Sequence, residues 1–480
     1  MPLLNDFLFE AGVAARSVAD YLGGGALRLG VTGLSRAGKT VFITALVNNL
    51  VGRARLPVLA AAAEGRIARA ILEPQPDDAV PRFAYEEHFA ALTGAERRWP
   101  RSTRRISQLR LSIEFERAKG WGARSSVLTL DIVDYPGEWL LDLPLLGKSY
   151  TEWSRETLEA SQSPARAPLA ADWRGWLATL DPGAPAQEDD ARRSAELFTA
   201  YLSKSREEVY ALSTLPPGRF LMPGDLEGSP ALTFAPLPVG EAAEFGAGSL
   251  AAMMARRFEA YKTHVVRPFF RDHFSRLDRQ IVLVDALAAL NSGPAALHDL
   301  ELALSDILTA FRAGRPSLLA TLFRPRIDRI LFAATKADHL HHASHDRLEA
   351  ILRQLTARAI LRAEGVGAGV DVIALAAIRA TREARLRHDG VSMDAIVGVP
   401  EAGERLGGRV FDGQEEAAVF PGELPADPAA VFAGHGIGLP EAENDWRFLR
   451  FRPPMIAPGA CPPQIRLDRA LQFLIGDRLA

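Results

Sequence analysis

The chain has 480 residues, 48% apolar and 24% charged, ordinary globular values that exclude disordered, collagen-like and coiled-coil readings of the whole. A formal net charge of −3 excludes a generally basic nucleic-acid binder, and no specific nucleic acid is expected as a partner. One cysteine, Cys461, forbids an intrachain disulfide and points to a reducing, cytoplasmic setting.

At ~150 residues per domain the length implies roughly three domains. Residues 1–21 mix Leu3, Leu4, Phe7, Leu8 and Val13 with Asp6, Glu10 and Arg16. The acidic residues and the lack of a basic start argue against a signal peptide. The pattern reads as an amphipathic helix packed on the body, with peripheral membrane contact the less favoured reading. No stretch reaches ~18 consecutive apolar residues, so no spanning helix is expected. Residues 26–32 are short, apolar and bounded by glycines, as in a buried strand. Val41, Phe42, Ala45, Leu46 and Leu50 give residues 39–50 helical spacing. Residues 52–100, rich in Ala and Arg, are predicted to be helical around a loop at Glu73-Pro74-Gln75-Pro76. Residues 106–115 and 127–133 read as two strands able to form a hairpin. Between 140 and 278 helical patterns recur near 173–180, 193–212 and 250–274, split by a Pro- and Gly-rich loop over 216–238. Strands then alternate with helices: strands at 280–285, 327–334 and 370–375, helices at 296–311 and 345–363. This alternation indicates βαβ units and a mostly parallel sheet. Residues 391–451 read as a small β-rich module, and 465–479 as an amphipathic helix. That helix needs a surface to bury its stripe, since isolated helices of ~12–15 residues are marginal in water.

Lysine is scarce, six residues against fifty arginines, so its positions are informative. The first motif, Gly33-Leu34-Ser35-Arg36-Ala37-Gly38-Lys39-Thr40, fits G-x-x-x-x-G-K-T between a predicted strand and a predicted helix, the context a phosphate-binding P-loop needs. Its small residues let successive backbone N–H groups curl around a β-phosphate, with the helix start aimed at the same charge. Lys39 adds a point charge at the β/γ position and the Thr40 hydroxyl is a Mg²⁺ ligand. Gly33, Ser35, Arg36, Ala37, Gly38 and Val41 complete the cradle.

The second motif, Asp134-Tyr135-Pro136-Gly137, ends the strand 127–133. Asp134 supplies the carboxylate that holds Mg²⁺ opposite a P-loop, and Gly137 offers a backbone N–H to a γ-phosphate. Taken alone, D-x-x-G is also a common turn. The third, Thr335-Lys336-Ala337-Asp338, ends the strand 327–334. A carboxylate there accepts from the N1–H and N2–H₂ donor pair of guanine, which adenine lacks. Lys336 would lay its stem over the base. The competing reading is a Lys–Asp pair capping the next helix.

These three motifs in this order look like the G domain of translation-factor and Ras-like P-loop GTPases. The fuller wording, GLSRAGKTVFITALV, DYPGEWLLDLPLL, PGRFLMPGDLEGSP and TKADHLHHASHDRLEAIL, resembles the YcjX-like bacterial family, P-loop GTPases associated with stress and phage-shock regulons. The resemblance implies an α/β P-loop fold in which residues 1–139, 279–388 and 462–480 form the G domain. Residues 140–278 would be a helical insertion and 389–461 the β-rich module. It implies GTP/GDP and Mg²⁺ as cofactors and an unidentified protein effector. The base-backing loop falls on Ala376-Ala377-Ile378, where Ala377 and Ile378 offer only backbone N–H groups. The switch threonine that completes the Mg²⁺ set with Thr40 and Asp134 falls on Thr103, with Ser102 and Ser107 as rivals. Glu138 stands where Ras-like enzymes place the water-orienting glutamine. It accepts from water but cannot donate to a γ-phosphate, so hydrolysis is expected to be slow, and Glu138→Gln to speed it.

Arg36, inside the loop, is read either as an arginine acting in cis on the phosphates or as one more solvent-facing arginine. His339, His341, His342 and His345 are read as a helix start, since no cysteine or carboxylate spacing completes a metal pattern. Asp131 is read either on the exposed face of its strand or in a polar contact to the insertion, and Asp285 is read as structural. Arg97, Arg98, Arg101, Arg104 and Arg105 form a basic patch beside Thr103. The expectation is a slow, Mg²⁺-dependent GTP-hydrolysing switch. The alternatives are an interaction module that binds GDP and GTP with negligible turnover, or an ATP-using P-loop enzyme.

Overall fold

The computed structural model describes residues 25–480 apart from 35, 76, 101–104, 119–124, 208–209, 213–214, 241–244, 310–326, 389–390, 407 and 433–447. The N-terminal segment, Ser35, Ser102 and Thr103 therefore lie outside the described residues.

A seven-stranded sheet carries the fold. Its strands are β1 (Leu27–Gly33), β2 (Ile67–Glu73), β3 (Ser107–Glu116), β4 (Ser125–Asp134), β5 (Arg279–Val284), β6 (Arg329–Ala334) and β7 (Gly369–Ala374), in the order β2-β3-β4-β1-β5-β6-β7. Strands β4, β1, β5, β6 and β7 run parallel, while β3 is antiparallel to both β2 and β4. The hairpin expected of residues 106–133 is present.

The parallel strands are apolar on both faces because helices cover both. In β5 and β6, Ile281, Leu283, Leu331 and Ala333 face one apolar core, while Val282, Val284, Ile330 and Phe332 face another. The first core holds Phe42 and Leu46 of helix α1 (Lys39–Val51). The second holds Leu287 of α8 (Ala286–Ser292), Leu297 of α9 (Pro294–Thr309) and Leu348 of α10 (His345–Leu355), with α11 (Ala357–Gly365) following. The helix expected over 345–363 is thus two, parted at Thr356, whose hydroxyl donates to the Leu352 carbonyl at 2.7 Å, a side-chain bond that bends helices.

Residues 52–100 depart from the helical expectation. Helix α2 (Tyr85–Thr93) is present, but β2 pairs along the β3 edge, with Arg69 2.6 Å from Glu114 across the strands. Cross-strand pairing overrides the helical preference of Ala and Arg.

Helices α3 (Tyr150–Ala160), α4 (Ala171–Leu177), α5 (Glu188–Ser205), α6 (Leu250–Tyr261) and α7 (Arg267–Asp272) lie between β4 and β5. They share a core of Trp153, Trp173, Phe198, Phe234 and Phe258 that continues into Tyr135 and Trp139 after β4. The β-rich stretch is a sheet of β8 (Arg382–His388), β9 (Val391–Gly398) and β12 (Ala417–Val419), plus a two-stranded pair β10 (Arg405–Leu406) and β11 (Arg409–Val410). It begins with β8, before residue 389, because β8 pairs with β9 along its length. The chain then returns to the main sheet. Leu467, Leu471, Leu474 and Ile475 of helix α12 (Leu467–Ile475), with Leu479 beyond it, join the core that holds α1.

Candidate functional site

In an open parallel sheet, ligands bind at the carboxyl ends of the strands, where neighbouring connections diverge. Strand β1 is that place here, with β4 on one side and β5 on the other. The three motifs meet at this edge: 33–40 after β1, 134–137 after β4, and 335–338 after β6.

Gly38 opens α1 at φ 82°, a left-handed conformation that favours glycine. Arg36 holds φ 61° and is exposed, so the loop turns on both residues. Lys39 is buried and its Nζ donates to the Gly33 carbonyl at 2.7 Å, folding the ammonium back over the loop. Thr40 is buried beside it. The register Val31↔Asp134 sets the buried Asp134 carboxylate alongside the strand that enters the loop. Ser107 starts β3 opposite Asp134 and lies within the sheet.

A cavity joins Arg36, Gly38, Lys39 and Thr40 to the base-recognition candidates. Its walls are residues 36–42, Trp99, Pro100, Thr335, Lys336, Asp338, His339, residues 375–378, Glu401, Arg450 and Phe451. Asp338 is buried at this wall. Its Oδ2 accepts from the Ala380 N–H at 2.8 Å, and its carbonyl accepts from the Thr381 hydroxyl. The carboxylate is therefore braced by the loop after β7, and is not a helix cap. Lys336, at φ 60°, pairs with Asp285 Oδ2 at 2.5 Å, and Asp285 also accepts the Ala288 N–H at the start of α8. Lys336 thus bridges neighbouring strand ends, and Asp285 is its counter-ion. Ala376, Ala377 and Ile378 face the same cavity, clamped from behind by the C-terminal segment. Ala376 and Ile465 exchange backbone hydrogen bonds at 3.1 and 2.8 Å, and the Arg379 N–H donates to the Pro463 carbonyl at 2.7 Å.

After Asp134 the chain enters a 3-10 segment, Gly137–Gly147. Gly137 lies against the loop so closely that a Cβ there would sit 1.9 Å from the Gly33 oxygen. Glu138 is buried and paired with Arg206, just after α5. The negative charge expected beside a γ-phosphate is thus matched by a cation from between β4 and β5. On the other side, a Cβ on Gly218 would meet the Glu138 carbonyl oxygen at 1.8 Å. Buried Asp142 fixes this contact, accepting from the Gly218 N–H at 2.6 Å and the Tyr261 hydroxyl at 2.6 Å. The Arg219 guanidinium lies 3.1 Å over the Trp139 ring.

Burial raises the Asp142 carboxyl to about 6, against the lowering effect of Tyr261 and of the Gly218 and Arg219 amides. A proton held more tightly in the folded chain stabilises it below the unfolded carboxylate value of ~3.9, and this contribution is lost as pH rises toward 6. Thermal unfolding across pH 4–8 is therefore expected to show the parent losing stability relative to Asp142→Asn as pH rises from 4 through about 6, with the difference levelling off beyond that. Parallel profiles would show that Asp142 does not titrate there.

The histidines divide. Burial lowers the His339 pKa, and the ring packs edge-on to Phe451 at 5.4 Å. Burial also lowers His345, and its Nε2 donates to the Ala337 carbonyl at 2.9 Å, holding the 335–338 loop. Asp131 is not on an exposed face: it is buried and takes Arg110 bidentately at 2.6 and 2.7 Å. Arg97, from the basic patch, and its neighbour Trp99 donate to the Pro453 and Phe451 carbonyls at 2.9 and 2.7 Å. Sequence reasoning missed Arg206, Trp99, Arg450 and Phe451. Only Glu138 hinted at Arg206, since a buried acid needs a counter-charge.

The family model described as "YcjX-like family, DUF463" matches residues 27–479. The chain belongs to the YcjX-like family. It is 41% identical over 466 residues to Ras-like GTPase YcjX of Escherichia coli (strain K12), covering 94% of this chain and 96% of that protein. It is 36% identical over 481 residues to Ras-like GTPase YcjX of Shewanella oneidensis (strain ATCC 700550 / JCM 31522 / CIP 106686 / LMG 19005 / NCIMB 14063 / MR-1), covering 94% of each. Among the described residues of this YcjX-like chain, no helix is long and apolar enough to cross a membrane.

Proposed function

We propose that this YcjX-like protein binds guanine nucleotide in the cavity between the 33–40 loop and Asp338 and hydrolyses GTP slowly, as a regulatory switch tied to stress response. The observation that carries the reading is the shared cavity: the phosphate-loop residues and Asp338 line the same walls. The names of its relatives support the same class. In this reading residues 1–139, 279–388 and 462–480 act as the G domain, apart from β8, which joins the accessory module at 389–461, and 140–278 act as the insertion.

Lys39 and the backbone of 33–41 hold the phosphates. Asp338 reads N1–H and N2–H₂ of the base, backed by Ala377 and Ile378. Thr40 and Asp134, a hydroxyl and a carboxylate, are the hard oxygen donors that Mg²⁺ prefers, with Thr103 the proposed third. The metal would neutralise charge on the β- and γ-phosphates. Gly137 then presents its N–H to the γ-phosphate, and Glu138 stands in place of a water-orienting glutamine. Arg36 lines the cavity within the loop.

Slow turnover follows from the grip of Arg206 on Glu138: a carboxylate held in a buried ion pair is poorly placed to orient water. The same grip favours the second reading, a module that binds nucleotide without appreciable turnover. Phosphate release and identification of bound nucleotide decide between them. The proposal expects GTP cleavage in the parent, none in Lys39→Ala, and no competition by ATP. Binding without release supports the module.

Asp338→Asn is expected to move preference from GTP toward XTP, whose C2 carbonyl accepts where guanine donates. Competition with both nucleotides checks this, and an unchanged preference would mean that Asp338 does not read the base.

A further inference from the structure

His341 and His342 follow Asp338 by three and four residues and are used neither by the cavity nor by the packing that accounts for His339 and His345. Their rings lie 4.2 Å apart between centroids. Strand β8 brings Glu383 to them. Its Oε2 is 2.7 Å from His342 Nδ1 and 3.9 Å from His341 Nε2, and one ligand atom from each of the three residues lies within 4.8 Å of the others. We propose that His341, His342 and Glu383 bind a divalent transition-metal ion of the zinc class, fastening β8 to the loop that carries Asp338.

Four observations carry this. Ligand atoms ~2.0–2.1 Å from a tetrahedral ion are about 3.3 Å apart, and the two separations to Glu383 Oε2 straddle that spacing. The three ligands come from two separate parts of the chain and converge on one carboxylate oxygen, which the 341–345 spacing alone did not reveal.

The buried His341 ring also has a carboxylate behind it. Asp394 Oδ2, on β9, lies 3.4 Å from Nδ1. A ligating histidine usually donates its other ring N–H to such a group, which fixes the tautomer and frees Nε2 for metal. The Ala343 N–H points at the same Nδ1 from 3.4 Å, and a proton on Nδ1 surrenders that contact in favour of Asp394. Glu383 is held in turn by Arg379, whose Nη2 is 3.5 Å from Oε1.

Finally, the donor set selects the ion. Two imidazoles and one carboxylate suit Zn²⁺ and Co²⁺, whereas Mg²⁺ prefers oxygen alone. The His342 side chain is 66% exposed, so a fourth position opens to water. This inference does not depend on the nucleotide reading.

The test uses the full chain after chelation and dialysis, titrated calorimetrically with Zn²⁺ and, by visible absorption, with Co²⁺; Mg²⁺ is the control. One Zn²⁺ per chain and a tetrahedral Co²⁺ spectrum are expected, with no competition from millimolar Mg²⁺. His342→Ala and Glu383→Gln should abolish the spectrum, and Asp394→Asn should weaken Zn²⁺ binding by about 10–100-fold. His342 is exposed and Glu383 only half-buried, so thermal unfolding in chelator should match the parent. Absence of stoichiometric binding, or equal binding by parent and both ligand variants, overturns the site and leaves a His–Glu ion pair.

Discussion

A chain ending at Pro463 is expected to lose nucleotide binding and most of its stability together. Five side chains beyond that point, Leu467, Leu471, Leu474, Ile475 and Leu479, are fully buried in the core that also holds α1. At about 1.5–3 kcal/mol each, their burial rivals the ~5–15 kcal/mol by which whole domains are stable. Polar ties surround that core. Asp468 accepts the Val58 N–H, Gln472 accepts the Ala60 N–H, and the Leu479 carbonyl accepts from Arg66. Fully buried Arg279, at the start of β5, lies 2.9 Å from Asp477. Without the segment, Arg279 would keep a buried charge with, among the described residues, Asp328 alone as its ion-pair partner. The cut also removes Ile465, the partner of Ala376 behind the cavity. Circular dichroism, thermal unfolding and GDP titration of the truncated chain check this. A monomer with unchanged affinity would show that the helix is dispensable.

Gly137→Ala is expected to destabilise the nucleotide-free protein by about 1–3 kcal/mol, the usual penalty of overpacking, or more. Its Cβ would meet the Gly33 oxygen at 1.9 Å and the Gly33 carbonyl carbon at 2.6 Å. Both are backbone atoms and cannot rotate away. Either the 33–40 loop or the 137–147 segment has to leave its position, so GDP affinity should change as well. Gly147, at the far end of the same segment, has open space around its Cβ position. Gly147→Ala is therefore the matched control, expected to unfold at the parent's temperature. Equal melting of the two variants would mean that the Gly33–Gly137 contact is not tight in solution.

The strands of the parallel sheet were legible because burial on both faces writes continuous apolar runs such as QIVLVD and IDRILFAA. The meeting of the three motifs was legible because each closes a predicted strand, and the ends of parallel strands lie at one edge of the sheet. Strand β2 was hidden because an edge strand has one covered side, and its Ala and Arg content speaks locally for helix. The Lys336–Asp285 pair, the Arg206–Glu138 pair and the Phe451 wall were illegible for a different reason. Each joins residues that only the folded topology brings together, and an arginine among fifty carries no positional signal. The β-rich stretch could be placed as β but not as a neighbour of the cavity, because its contacts are made through short bridges such as Pro400↔Phe451.

The hydrogen-bonded bridge between Ala376 and Ile465 also sets an order of events during synthesis. The 33–40 loop leaves the ribosome early, yet the 376–378 loop finds its partner only once Ile465 has been added. At ~5–20 residues per second, the interval is on the order of tens of seconds. During it the half-built sheet exposes the apolar face that α12 later covers. A chain stopped short of Ile465 would leave Ala376 without its backbone partner, so this side of the cavity is completed only when the segment carrying α12 arrives.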